Sequence, residues 1–128
     1  MSERDVRRAV DRLVAAFAES RLDDYFGGFH PESTFVFHST DRRLESVDEY
    51  RALWTRWVEE DGFEVLDCRT SDTRVQMFGD LAVVSHAVTT RIRTRSGDQD
   101  LRERETIVLA RERGGAWLGV HEHLSPQP

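Results

Sequence analysis

Two glutamates, Glu105 and Glu122, are the residues best suited to chemistry in this sequence. Glu122 lies in the last predicted strand, where strict alternation places it opposite to the flanking His121 and His123. A carboxylate among apolar neighbours resists ionisation, and a second carboxylate nearby raises the pKa of one of the two further. Such a pair suits general acid or base catalysis near neutral pH. The alternative is structural, because a buried unpaired carboxylate is costly: Glu122 or Glu105 pairs with an arginine such as Arg91, or accepts hydrogen bonds from backbone and tryptophan indole groups.

The histidines of the same strand suggest a second kind of site. His121 and His123 are two residues apart on one face, a spacing that can serve a metal ion, and His86 could supply a third ligand. The same predicted face carries Val108 and Trp117, which is more typical of packing or of an interface. We therefore predict no metal site.

Composition excludes several classes of function. The 128 residues suit one domain, residues 1–128, and the net charge of -6, with arginines spread along the chain, argues against nucleic-acid binding. A charged start and the lack of a long apolar run predict a cytoplasmic protein without a membrane segment. The single cysteine, Cys68, permits no internal disulfide. No dinucleotide fingerprint, zinc helix or nucleophile elbow is present, so we expect no cofactor.

The elements that must position these residues follow in a clear order. Helical periodicity covers residues 4–20 and 47–61, with a short turn of helix at 22–26. A strand is predicted at 34–38, and after Gly62 long strands are predicted at 63–77, 81–95, 101–113 and 116–124. Helices first and a meander last predict an α+β fold, with the helices on one face of an antiparallel sheet.

Turn positions predict a register for the sheet. A tight Gly114-Gly115 turn pairs Leu109 with Val120, Ile107 with Glu122, and Glu105 with Leu124. A turn centred on Gly97 places Ala87 opposite Ile107. A slip of one residue at either hairpin would invert the faces.

The predicted second face of this sheet is partly apolar, although a solvated face should be polar. With only two substantial helices to cover it, we expect a homodimer through this outer face. The residues predicted at this interface are His86, Val88, Thr106, Val108, Trp117, His121 and His123.

Several motifs resemble the nuclear transport factor 2-like superfamily, in its SnoaL-like branch, and the association domain of calcium/calmodulin-dependent protein kinase II. They are residues 29–32, Trp54 with Trp57, Gly79-Asp80, Glu105-Thr106, and residues 115–125. The resemblance covers nearly the whole chain. It implies a cone-shaped, strongly curved antiparallel sheet wrapped on the N-terminal helices, as in cystatin-like folds.

The resemblance does not carry over the known sites of the superfamily. Ketosteroid isomerases of this fold have acidic residues at positions that align with Phe37 and Ile107, which are apolar here. The kinase association domain has arginines at positions that align with Ala87, Ile107 and Leu124, and these are also absent. Fold alone does not choose among the activities of the superfamily.

What the resemblance does imply is a mainly apolar cavity that binds a small organic molecule. Glu105 and Glu122 are its candidate catalytic groups. The predicted ligand-binding residues are Phe35, Phe37, His38, Tyr50, Trp54, Trp57, Ser85, Ala87, Ile107 and Leu124. An enzyme of this kind would be an isomerase, cyclase or lyase that moves a proton. The alternative is a non-catalytic homodimeric association module.

Overall fold

The computed structural model describes residues 2–128, in which three helices accompany one five-stranded sheet. The chain runs α1 (Glu3–Ala18), α2 (Leu22–Gly27), β1 (Phe29–Phe37), α3 (Val47–Asp61), β2 (Glu64–Phe78), β3 (Leu81–Thr94), β4 (Gly97–Arg111) and β5 (Trp117–Pro126). The strand order is β1-β5-β4-β3-β2. The predicted α+β class is confirmed. Within residues 2–128, no helix has the length and apolar character needed to cross a membrane.

The two long helices, α1 and α3, are each capped at the N-terminus by a serine. The Ser2 hydroxyl accepts from the Asp5 backbone amide at 3.3 Å, and the Ser46 hydroxyl accepts from the Glu49 amide at 3.1 Å. Helix α3 is capped at its C-terminus by Gly62, whose φ of 64° is left-handed. The buried stripe of α1 packs toward β2, and α3 lies against β1. The helices therefore cover one face of the sheet, the inner face.

The sheet is mixed, which corrects the expectation of a wholly antiparallel one. Strand β1 runs parallel to β5, with Phe35 opposite Glu122. The chain leaves β1 through α3 to the far edge at β2, and the antiparallel meander then returns to β1. After β1 the chain returns to form a single antiparallel bridge between Phe35 and Leu44.

The β4–β5 register is as predicted around the glutamates and wrong nearer the hairpin. Ile107 lies opposite Glu122, but Leu109 lies opposite Gly119 instead of Val120, because a bulge intervenes. The connection is longer than a two-residue turn, with the Glu112 amide donating to the Ala116 carbonyl at 2.7 Å. The bulge reverses the alternation, so Trp117 is in the inner core and not on the outer face.

The predicted β3–β4 register is wrong, because the observed pairing is displaced from it by an odd number of residues. Ile107 pairs with Val84 instead of Ala87, because the turn lies between the paired residues Thr94 and Gly97 and is not centred on Gly97. The odd shift exchanges the two faces of β3. His86 and Val88 are therefore buried on the inner face. Ser85 and Ala87, predicted in the cavity, lie on the outer face.

Strand β2 is interrupted by two irregularities. Its pairing with β3 shifts between Val65 and Asp67 and again between Ser71 and Arg74. Asp72 within the second shift has a left-handed φ of 55°. The regular pairing of β2 is thus broken near Ser71-Asp72.

The β5 bulge sits beside a close contact that requires glycine. A Cβ on Gly119 would lie 2.5 Å from the Cδ1 atom of Phe29, whose ring is buried. We expect Gly119→Ala to lower the free energy of unfolding by about 1–3 kcal/mol, because the packed ring cannot yield without strain. Urea denaturation measures the change. Gly114→Ala is the matched control, since a Cβ there meets nothing within 4 Å. Equal stability of the two variants would contradict the packing argument.

Candidate active site

A cavity of about 360 Å³ lies between the helices and the inner face of the sheet. Its wall is mainly aromatic, because α1, α2, α3 and β1 all turn rings toward the same space. The rings are Phe17, Tyr25, Phe29, Phe37, Tyr50, Trp54, Trp57 and Phe63. Exposed lining residues, Ser39, Asp61 and Gln99, mark the open end.

Most of the predicted site residues line this cavity. Those that do are Phe37, Tyr50, Trp54, Trp57, Glu105, Ile107, Glu122 and Leu124. Phe35 is fully buried behind the wall, with its ring 4.7 Å from that of Tyr50. His38 is outside the lining set, and Ser85 and Ala87 lie across the sheet. In the observed β3–β4 register, Val88, Thr90 and Ile92 line the cavity in their place.

Glu105 is held by a buried histidine. Nε2 of His86 lies 2.6 Å from Oε1 of Glu105, and both side chains are almost fully buried. A carboxylate only accepts hydrogen bonds, so the imidazole donates from Nε2. Hydrogen bonds from Glu122 and His86 hold the pKa of Glu105 below its ordinary value, against the opposing effect of burial. Glu105 is therefore the ionised member of the glutamate pair.

Glu122 is the protonated member. Burial, followed by the charge of Glu105 and the hydrogen bond with it, raises the pKa of Glu122 well above 4.5. Two carboxylates can hydrogen-bond to each other only when one carries a proton, so the neutral Glu122 donates to Glu105. Glu122 is only 4% exposed, and within residues 2–128 no amide, hydroxyl, imidazole or guanidinium donates to its Oε1.

Two tyrosines complete the polar end of the cavity. The hydroxyls of Tyr25 and Tyr50 are 3.0 Å apart, in a cluster of rings from α2, β1 and α3. Burial is the main cause that raises the pKa of both phenols well above 10.0. They are thus neutral hydrogen-bond donors at physiological pH.

A third glutamate was missed by the sequence reasoning. Glu103 lines the cavity, and its Oε2 lies 2.6 Å from Nε2 of His38, which reaches it from the end of β1. The signal was available, because Glu103 and Glu105 are two residues apart on one strand and must share a face. The predicted β3–β4 register placed His86 on the outer face. No sequence pattern distinguished Tyr25 as a cavity residue.

The remaining nucleophile and metal candidates are not organised for chemistry. Cys68 lines the cavity, but burial raises the pKa of its thiol to about 11. His121 and His123 are on the outer face, where the Thr34 hydroxyl lies 2.8 Å from Nδ1 of His121. His86 is on the opposite face, so the three imidazoles do not converge. No cluster of three or more acidic, histidine or cysteine side chains suited to a metal ion occurs within residues 2–128.

We expect Glu122→Gln to change how stability depends on pH. The folded protein keeps the Glu122 proton at pH values where an unfolded glutamate has lost it, so stability falls as pH rises from 4.5 through the raised pKa. Glutamine cannot ionise and still donates to Glu105. The variant should therefore gain stability relative to wild type as pH rises, by at most about 1.4 kcal/mol per pH unit.

Urea titrations at half-unit pH intervals measure this difference. Glu59→Gln is the control, since Glu59 is exposed on α3 and should follow wild type at every pH. Parallel curves for Glu122→Gln and wild type would mean that Glu122 is not the protonated member of the pair.

Comparison with known proteins places this geometry in a family. The chain is similar in structure to a nuclear transport factor 2-like protein from Cytophaga hutchinsonii, with 17% identity, coverage of 99% of this chain and 100% of that one, and a TM-score of 0.82. A ketosteroid isomerase-like protein from Erwinia carotovora atroseptica gives 16% identity, full coverage of both chains and a TM-score of 0.81. The S. rosetta CaMKII hub gives 22% identity, coverage of 97% and 95%, and a TM-score of 0.78.

These likenesses establish a shared fold. The search of curated proteins found no match. The model of the SnoaL-like domain matches residues 6–128. Since this match spans nearly the whole chain, the protein belongs to the SnoaL-like domain family, as its motifs predict.

Proposed function

We propose that the domain binds a small, largely apolar organic molecule in the aromatic cavity and moves a proton on it. The observation that carries this proposal is the buried glutamate pair, whose members have pKa values displaced in opposite directions. Paired carboxyl groups with separated pKa values supply a base and an acid within one site. The aromatic rings supply apolar area to hold and orient the substrate.

The roles of the two glutamates follow from their protonation. Glu105 is the base, which takes a proton from a carbon next to an electron-withdrawing group such as a carbonyl. Glu122 is the acid, and its O–H stabilises the negative charge that develops on the carbonyl oxygen. Return of the proton from Glu105 to a different carbon completes an isomerisation, while loss of a leaving group gives a lyase reaction. His86 positions the Glu105 carboxylate through its 2.6 Å hydrogen bond.

Deuterium exchange on cyclic ketones tests the proposal. In D₂O, wild type should exchange the α-hydrogens of one- to three-ring ketones such as 2-tetralone faster than buffer. Glu105→Gln should lower the enzymatic rate by about 10²–10⁴-fold, because the base is lost. Glu59→Gln is the matched control and should exchange at the wild-type rate. NMR measures exchange, and calorimetry shows whether each ketone binds. Ketones that bind but exchange at the buffer rate would refute proton transfer.

A second function, homodimeric association, is favoured by the outer face of the sheet. No helix covers this face within residues 2–128, yet it carries partly exposed apolar residues on β3, β4 and β5. These include Val83, Ala87, Val108, Ala110, Leu118 and Val120. Thr106, His121 and His123 surround them, whereas His86, Val88 and Trp117 are on the inner face and leave the predicted interface. A second copy packed on this face would bury its apolar area.

Sedimentation velocity tests this association. Wild type should sediment as a dimer, and Val108→Arg should shift it to monomer at micromolar concentration, because a guanidinium at the centre of the face has no partner charge. Ala52→Arg adds the same side chain at an exposed position of α3 and should remain dimeric. A monomeric wild type, or a dimer that survives Val108→Arg, would contradict the outer-face dimer.

A further inference from the structure

The cavity is lined by acidic side chains and by no arginine of the described chain. Four carboxyl groups line it, on Asp61, Glu103, Glu105 and Glu122. All 18 basic residues of the chain are arginines, and none of the arginines lines the cavity. The imidazoles of His38 and His86 each bind one of these carboxylates. An anionic ligand would therefore meet repulsion from the lining without any guanidinium to pair with.

The Glu122 carboxyl has unused capacity inside this lining. The residue is only 4% exposed, and Oε1 receives no donor from a residue in the described chain. A buried polar atom without a partner lowers stability, so such atoms in native structures call for an explanation. A ligand that donates a hydrogen bond to this oxygen would satisfy it.

The aromatic wall suits the same kind of ligand. Eight rings line the cavity, and Trp54 and Trp57 lie next to each other with their ring centroids 6.1 Å apart. The faces of such rings attract organic cations, and the attraction grows when water is excluded. Carboxylates and aromatic faces together compensate for the lost hydration of a cation, which neither an apolar wall nor a lone carboxylate does as well.

We propose that the ligand of this cavity is an organic cation, an aromatic or alicyclic molecule with one protonated nitrogen that donates to Glu122. This inference rests on the proposed binding function of the cavity, not on the proton transfer, and names the ligand class. With a cation bound, Glu122 is its counter-ion and does not act as an acid. The rings hold the apolar body of the ligand. The nitrogen takes the place of the proton that Glu122 and Glu105 share. Binding is then an exchange in which the cation enters and one proton leaves the carboxyl pair for solvent, which conserves charge.

The exchange depends on every ionisable group that faces Glu122. These are Glu103 and Glu105 on β4, His86 on β3, Cys68 on β2, Tyr25 on α2 and Tyr50 on α3. The thiol and the two phenols have raised pKa values and stay neutral near pH 7. Glu105 is already ionised. Glu122 is thus the group that loses the proton when the cation binds.

A set of three probes with one ring system tests the ligand class. 2-Naphthylmethylammonium, 2-naphthylmethanol and 2-naphthoate share a bicyclic body and differ in charge. Isothermal calorimetry at pH 7 should show the ammonium binding at least about tenfold tighter than the alcohol, with the carboxylate weakest. In Glu122→Gln the preference for the ammonium over the alcohol should fall to about threefold or less, while Glu59→Gln should keep it.

Proton release provides a measurement that needs no variant. Titrations of wild type with the ammonium in phosphate and in Tris, which differ in ionisation enthalpy, should reveal about one proton released per ligand. Tighter binding of the alcohol or the carboxylate, or cation binding without proton release, would overturn the inference. If the alcohol alone binds, the inference fails and the proposed binding function stands. If none of the probes binds at millimolar concentration, both are overturned.

Discussion

The burial of two adjacent glutamates with no arginine beside them is the constraint on which the rest of the structure depends. Either glutamate alone in an apolar cavity would destabilise the fold. Together they are tolerable because one proton, held on Glu122, removes one charge, and a donor from His86 stabilises the other. This arrangement requires β3 to turn His86 inward. The register of the β3–β4 hairpin and the chemistry of the cavity are therefore one feature, fixed by the position of a two-residue turn.

The order of the elements and the pairing of Glu122 with Ile107 could be predicted from the sequence, because helical and strand periodicities are local. The faces of β3 could not, since they depend on whether the turn begins at Thr94 or is centred on Gly97, and both fit the same Ser-Gly pattern. Trp117 illustrates the same limit. Its inward position depends on a bulge between Gly119 and His121, next to the point where the Phe29 ring from a distant strand lies against Gly119.

The cavity residues also differ in whether the sequence alone could place them. Those on α3 and β4, such as Trp54 and Glu105, could be placed from the sequence because one periodicity positions each of them. Glu103 follows from Glu105 by simple alternation and was accessible. The roles of Tyr25 and His86, and the contact of His38 with Glu103, were not, because they arise between elements far apart in sequence. The division into a base and an acid also required the structure, since Glu105 and Glu122 look alike in the sequence.

The irregularities of β2 also bear on the edges of the sheet. Strands β1 and β2 are its two margins, and a regular margin invites another chain to pair with its free backbone groups. On β2 the double shift in register, the left-handed Asp72 and the charged side chains at Asp67, Arg69 and Arg74 disfavour such pairing. On β1 such pairing is restricted by the bridge to Leu44 and by Pro31, whose backbone nitrogen carries no hydrogen to donate. Open-ended, amyloid-like growth from either margin is therefore disfavoured.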